Sequence, residues 1–289
     1  GRGNHATQPT TTSRPTLSAR YNLLTATDTL TTQSVTTVAT SYTLKLTGAG
    51  SVTLSGTAAG SYSAGTYTIT CTAGSLTLTV SGSVTQADLR PANDGVGLPE
   101  YQRVVDANTY DTVGFPLYLR FDGVDDFLQT ASVDFSGTSN LIMSVAVRKM
   151  SDAAQSVLLE LSAATGSNNG TFNLQAPPGA GQAAYMLYSK GTVLGGGQLA
   201  SGASSPISNV LTGICSIAGK VATLRSNGTV AAQSSNDQGS GNYGNYPLYI
   251  GRRAGTSLSF NGRLYGLLIR GAATPDATIA TVERHLNSK

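Results

Sequence analysis

The sequence predicts an all-β protein built as two antiparallel β-sandwich domains and closed by one short C-terminal helix. Three observations carry that expectation. Thr (38), Ser (32) and Gly (34) dominate the 289 residues while Glu occurs three times, a composition that favours strands and turns over helices. Short runs place an apolar residue at every second position, the period of a half-buried strand. The length allows two modest domains, each with its own core.

The first group of strands lies between residues 29 and 87, where Lys45 is the single charged side chain. The runs SYTLKLTG, SVTLSG, GTYTITCT and SLTLTVSG alternate Leu, Val, Tyr or Ile with Thr or Ser, and Gly residues between them supply turns. Thr on the outer face keeps a strand polar without charge, and such a face also suits contact with neutral partners. Residues 88–116 carry three Pro and a cluster of charges, so they read as a long connection. Strand texture returns with LYLRFDG and continues through eleven short runs to FNGRLYGLLIRG. In TPDATIATVERHLNSK, Thr274 is the expected N-cap, Pro275 the first helical residue and Asp276 a first-turn acid. Ile279, Val282 and Leu286 then share one helical face, with Arg284, His285 and Lys289 near the helix end.

Charge and composition exclude several classes of function. The net charge is +3 and no Lys/Arg run is longer than a pair such as Arg252-Arg253, so no basic track for nucleic acid exists. No apolar stretch is long enough to insert in a membrane. Cys71 and Cys215 each sit in an apolar strand-like run and read as buried free thiols, the alternative being a single bridge between domains. The only histidines, His5 and His285, lie near opposite ends, which argues against zinc and against a Ser-His-Asp triad. Of the three Glu (Glu100, Glu160, Glu283) only Glu160 falls on a strand, and no G-x-S-x-G elbow is present. A non-catalytic protein is expected.

Four segments together resemble the concanavalin A-like, laminin-G-like jelly-roll family: Phe121-Asp122-Gly123 with Asp125-Asp126, the turn pair Asn227-Gly228, the pair Ile250-Gly251, and Phe260 with Gly262 and Leu264 running into the helix. The opening GRGNHATQPTTTSRPT resembles the segment that precedes the first of these strands in such proteins. The resemblance implies a discontinuous jelly roll of residues 1–20 plus 117–289, with residues 21–116 as an inserted small β-sandwich and its return linker. The inserted part is similar to small domains of bacteriophage structural proteins. This layout implies a virion protein of tail fibre, baseplate or head fibre type, located on the extracellular particle, whose partners are other virion subunits and a host-surface glycan or receptor, and which forms a homo-oligomer. Two alternatives stand beside it: a structural or capsid-decoration protein with no soluble ligand, and a bacterial surface lectin-like protein.

Two candidate sites follow. Residues 234–253 offer Asn236, Asp237, Asn242, Tyr243, Asn245, Tyr246 and Arg252 interleaved with Gly, the mixture of rings and amides that holds neutral sugars. The bland reading of the same stretch is a solvated loop with Tyr246 and Tyr249 against the core. The acids Asp122, Asp125 and Asp126 form either a calcium site or a hydrogen-bonded turn around Asp122-Gly123. No other cofactor is expected.

Overall fold

The computed structural model describes residues 5–107, 109, 113–195 and 197–288, so Lys289 and the first four residues of the opening segment lie outside the described residues. The chain divides into two compact units: one takes in the chain up to Thr16 together with Tyr118 onward, the other is Leu17–Leu117. Two short strands open the chain, β1 (Ala6–Thr7) and β2 (Thr16–Ser18).

The smaller unit is a sandwich of seven antiparallel strands. A four-stranded sheet is formed by β3 (Gln33–Thr37), β5 (Ser51–Gly56), β6 (Gly60–Tyr62) and β8 (Gly74–Ser81), and a three-stranded sheet by β4 (Thr40–Gly48), β7 (Gly65–Cys71) and β9 (Val84–Pro91). Alternation does what the sequence pattern demands: Tyr42, Leu44 and Leu46 of β4 point inward with Val52, Leu54, Leu76 and Leu78, while the Thr and Ser between them face out. Cys71 lies in this core as a free thiol. Gly48 (φ +101°) turns β4 into β5, and a Cβ there would stand 2.4 Å from the Ser83 carbonyl oxygen, so only Gly fits. The return segment is tied inward. The Gln102 side chain, fully buried, accepts from the backbone N–H of Tyr21 (2.7 Å) and Asn22 (2.8 Å), and Asp88 accepts from the Gln102 N–H (2.8 Å).

The larger unit is a sandwich of two seven-stranded antiparallel sheets. Its strands after β1 and β2 are β10 (Tyr118–Asp122), β11 (Leu128–Asp134), β12 (Asn140–Lys149), β13 (Val157–Leu161), β14 (Thr171–Gln175), β15 (Ala184–Lys190), β16 (Gln198–Ser201), β17 (Ile207–Ser216), β18 (Val221–Ser226), β19 (Thr229–Ser234), β20 (Asn245–Ile250) and β21 (Asn261–Arg270). One sheet runs β1-β11-β20-β13-β14-β15-β16 and the other β19-β18-β17-β12-β21-β10-β2. Their inner faces meet in a core of Leu159, Leu161, Phe172, Leu174, Leu187, Met143, Val145, Leu211 and Phe260 among others. The sequence pattern gives eleven runs where the structure has twelve strands from Tyr118 on; the extra one is β16, four residues long and preceded by Gly-rich chain.

The helix α1 (Asp276–Asn287) lies on the outer face of the second sheet, where Leu286 and Val282 pack with Ala146, Val210 and Tyr265. That cover buries Ala146 on the outer face of β12, a strand buried throughout apart from its first residue. One detail differs from the sequence reading. Pro275 (φ −61°, ψ 145°) is itself the cap residue, and the Thr274 hydroxyl donates back to the Ala272 carbonyl (3.1 Å) and caps nothing. No helix among the described residues is long and apolar enough to cross a membrane.

Candidate functional site

The acidic trio sits in the β10–β11 turn, with its carboxylates within 4.8 Å of one another. Gly123 (φ +82°) makes the bend, and Asp122 Oδ1 accepts from the N–H of Val124 (2.7 Å) and of Asp125 (3.3 Å). Asp126 is buried and its Oδ2 accepts from the Asp122 N–H (3.0 Å); Asp125 Oδ2 accepts from the Ser13 hydroxyl (2.6 Å). Burial pushes the Asp126 carboxyl up to about 6; the Asp122 N–H opposes this, and the charges of Asp122 and Asp125 add to it. An all-oxygen set of three carboxylates has the chemistry a hard cation takes. The neighbouring carbonyls of Val124 and Asp125 already accept from Ser259 (2.7 Å) and Arg252 (3.4 Å). Hydrogen bonding of the turn and cation binding therefore draw on the same few oxygens.

The loop between β19 and β20 has two buried anchors. Gln238 is fully buried; its amide donates to the Val221 carbonyl (3.0 Å) and accepts from the Ser189 hydroxyl (2.5 Å). Tyr243 is 1% exposed, stacks edge-on against Phe172 at 6.2 Å, and its hydroxyl hydrogen-bonds that of Ser189 (2.7 Å). Tyr243 is thus a core residue and no sugar platform, because its ring fills the sandwich end and its only polar atom is used inside. Tyr246 is half-buried against the same core. Arg252 also belongs elsewhere: it is half-buried beside the acidic turn, reaching the carbonyls of Asp125 and Thr256 (3.1 Å). Asn236, Asp237, Asn242 and Asn245 are exposed. Asn242 donates to the Ser136 carbonyl (2.7 Å), and Asp237 lies 3.7 Å from Lys220. The loop presents amides and one acid from a fixed base. Its backbone order was not legible from composition, since Gln238 and Tyr243 fall outside any strand period.

The three Glu side chains are each held in an ion pair. Glu160 is fully buried: Oε1 accepts from the N–H and hydroxyl of Thr165 (both 2.9 Å) and Oε2 from Arg253 Nε (2.8 Å). Glu283 pairs with Arg225 (2.8 Å) and Glu100 with Lys45. Burial pushes the Cys215 thiol up to about 12 and raises that of Cys71, which leaves both inert as nucleophiles. His5 and His285 are exposed.

No protein-family profile matches this sequence, and no curated protein matches it. Solved structures give partial likenesses. The carbohydrate-binding module CBM40 of the Ruminococcus gnavus IT-sialidase is 14% identical, with a TM-score of 0.41 over 54% of this chain and 97% of its own. A heptameric SAP-like pentraxin from Limulus polyphemus is 13% identical at TM-score 0.41, covering 57% of this chain and 80% of its own. A structure reported for the two-ganglioside cell entry of botulinum neurotoxin type C is 11% identical at TM-score 0.44, covering 60% and 43% respectively.

Proposed function

We propose that this chain is a non-catalytic adhesion module of a bacteriophage particle, of tail or fibre type, that holds a glycan or receptor on the host surface. The observation that carries the binding part is the β19–β20 loop: Gln238 and Tyr243 lock its backbone from inside while Asn236, Asp237, Asn242 and Asn245 stand in solvent. A fixed backbone bearing amides lowers the ordering cost of gripping hydroxyl-rich ligands. The absence of chemistry is supported by the state of the three Glu, each held in an ion pair. The phage assignment and homo-oligomeric assembly rest on the motif resemblance of the sequence. The same reading gives Asp122, Asp125 and Asp126 a calcium ion that braces the β10–β11 turn, supported by their mutual distance.

Glycan-array and host-cell binding by the assembled protein, compared with the triple variant Asn236→Ala, Asp237→Ala, Asn245→Ala, tests the reading. Binding by the parent and a loss of about tenfold or more in the variant is expected. Silence of the parent on both assays overturns it. A purely structural virion role is the second reading, favoured by the exposed apolar side chains Val193, Leu194, Leu199 and Val230, the last two on the end strands β16 and β19 of the two sheets. It predicts assembly without any soluble ligand.

A further inference from the structure

The smaller unit holds a cavity of about 230 Å³ between its three-stranded sheet and the connection that follows β9. The floor is the outer face of that sheet. Leu44, Leu46, Ala87 and Leu89 point into the core, so their neighbours Thr43, Lys45, Asp88 and Arg90 point the other way. Strand register sets Thr66 of β7 beside Lys45 of β4 and Lys45 beside Asp88 of β9, with Thr43 beside Arg90 in the next row. Ala92, Asp94, Gly95, Val96, Leu98 and Glu100 of the connection complete the lining. The mouth is open to solvent: Val96 is 82% exposed, the Glu100 side chain 83%, and Thr66 is exposed as well. The base is fixed by a buried ion pair. Arg90 donates to both Asp88 oxygens (2.7 Å from Nε) and to the Pro99 carbonyl (3.2 Å), and Asp88 also accepts from the Gln102 N–H (2.8 Å). Each nitrogen and oxygen of that pair is engaged within the protein, so the pair shapes the cavity. The Thr43 and Thr66 hydroxyls, by contrast, have no hydrogen-bond partner among the described residues.

We infer that this cavity binds one neutral sugar ring, the terminal residue of a glycan. The kind of ligand rests on the glycan-binding reading above, whereas the place is new and lies in the other unit of the chain. The cavity is smaller than the range of about 300–1,000 Å³ that drug-sized ligands take, which limits it to a single ring. The Thr43 and Thr66 hydroxyls each donate and accept, as sugar hydroxyls do. At the mouth, Lys45 adds ammonium donors, and Glu100 adds the oxygen that its pairing with Lys45 leaves open. Ala92, Val96 and Leu98 give the ring carbons an apolar wall. Charge then selects among sugars. Three acids, Asp88, Asp94 and Glu100, line the cavity against two cations, Lys45 and Arg90, so a ligand carboxylate meets no surplus of positive charge and an acidic sugar is disfavoured.

The test uses the full chain. Saturation-transfer NMR screens the methyl glycosides of glucose, galactose, mannose and N-acetylglucosamine, with glucuronic acid as the acidic comparison, and calorimetry gives the affinity of each hit. At least one neutral glycoside should bind, and glucuronic acid should bind about fivefold or more weakly than that hit. Val96→Arg places a long charged side chain at the mouth from an exposed position, so it should weaken the hit by about tenfold or more with the melting temperature unchanged. Thr43→Val keeps the side-chain shape and removes one hydroxyl, and should weaken the hit by about fivefold. A parent that binds none of the neutral glycosides overturns the site, while the adhesion reading stands or falls on its own array and cell assays. Binding that survives both cavity variants but is lost in the β19–β20 triple variant places the sugar on that loop and overturns the inference. Binding that survives all three variants overturns it as well, and so does glucuronic acid bound as tightly as the neutral hit.

Discussion

The two sandwiches differ in how they treat the faces that point away from their cores. In the smaller unit those faces are largely hydroxyl ladders in solvent, where Ser34 meets Thr77 (2.8 Å), Thr53 meets Ser61 (3.0 Å) and Thr47 meets Thr85 (3.2 Å) across neighbouring strands. In the larger unit an outer face buries Glu160, Asn173 and Thr171 completely, and the other sheet lies under α1. A hydroxyl pair in water is nearly neutral in energy, whereas an enclosed carboxylate or amide must be matched atom by atom. Sites that discriminate among ligands are therefore expected where such groups are enclosed, and tolerance to substitution along the ladders.

The largest effects should come from the cores and should stay within one unit. Phe172→Ala should lower the stability of the larger sandwich by about 3–5 kcal/mol and Leu44→Ala that of the smaller by about 2–5 kcal/mol. Calorimetry resolves the two transitions, and a variant that displaces both by the same amount would break the comparison. Glu160→Gln comes next. It strands the Arg253 guanidinium, which is 30% exposed, so a loss of roughly 2 kcal/mol is expected, softer than for a fully enclosed partner. Combining it with Arg253→Met should recover part of that loss in the same melt.

A smaller effect is set by pH. Asp126 holds its proton up to about 6 in the fold, against about 3.9 in an unfolded chain, so the folded state binds more protons between those values. Its contribution is fully present below pH 4 and is lost as pH rises through 6. The melting temperature of the parent minus that of Asp126→Asn should decline over this window, and a flat difference would show the carboxyl to be ordinary. Calcium should raise the parent's melting temperature mainly above pH 6, where Asp126 is ionised, and should do little for the Asn variant. The smallest effect belongs to the hydroxyl ladders: Thr77→Ala should change stability by no more than about 0.5 kcal/mol.

Period-two patterning made most of this fold legible. Tyr42, Leu44 and Leu46 alternate with polar neighbours and fall inward, and Ile279, Val282 and Leu286 mark the helix face that docks. Alternation also places Asn173 opposite Phe172, but it is silent on which strands become lateral neighbours. The row of Tyr249, Glu160, Asn173 and Tyr188 draws on four strands separated by loops, and only the sheet order assembles it. Tyr243 was misread for a related reason: a ring in a Gly-rich loop carries no periodic signal, and its burial depends on Phe172 and Ser189, more than fifty residues away. The acidic turn was legible in full as a cluster, because its residues are local.

The helix α1 makes the larger sandwich two-sided, with one broad sheet covered and the opposite one bare of helix. Its solvent-facing residues, among them Thr278, Thr281 and Arg284, are therefore natural attachment points. A dye or surface tether joined there would attach the larger sandwich by its helix-bearing sheet and leave the opposite sheet free of the linkage.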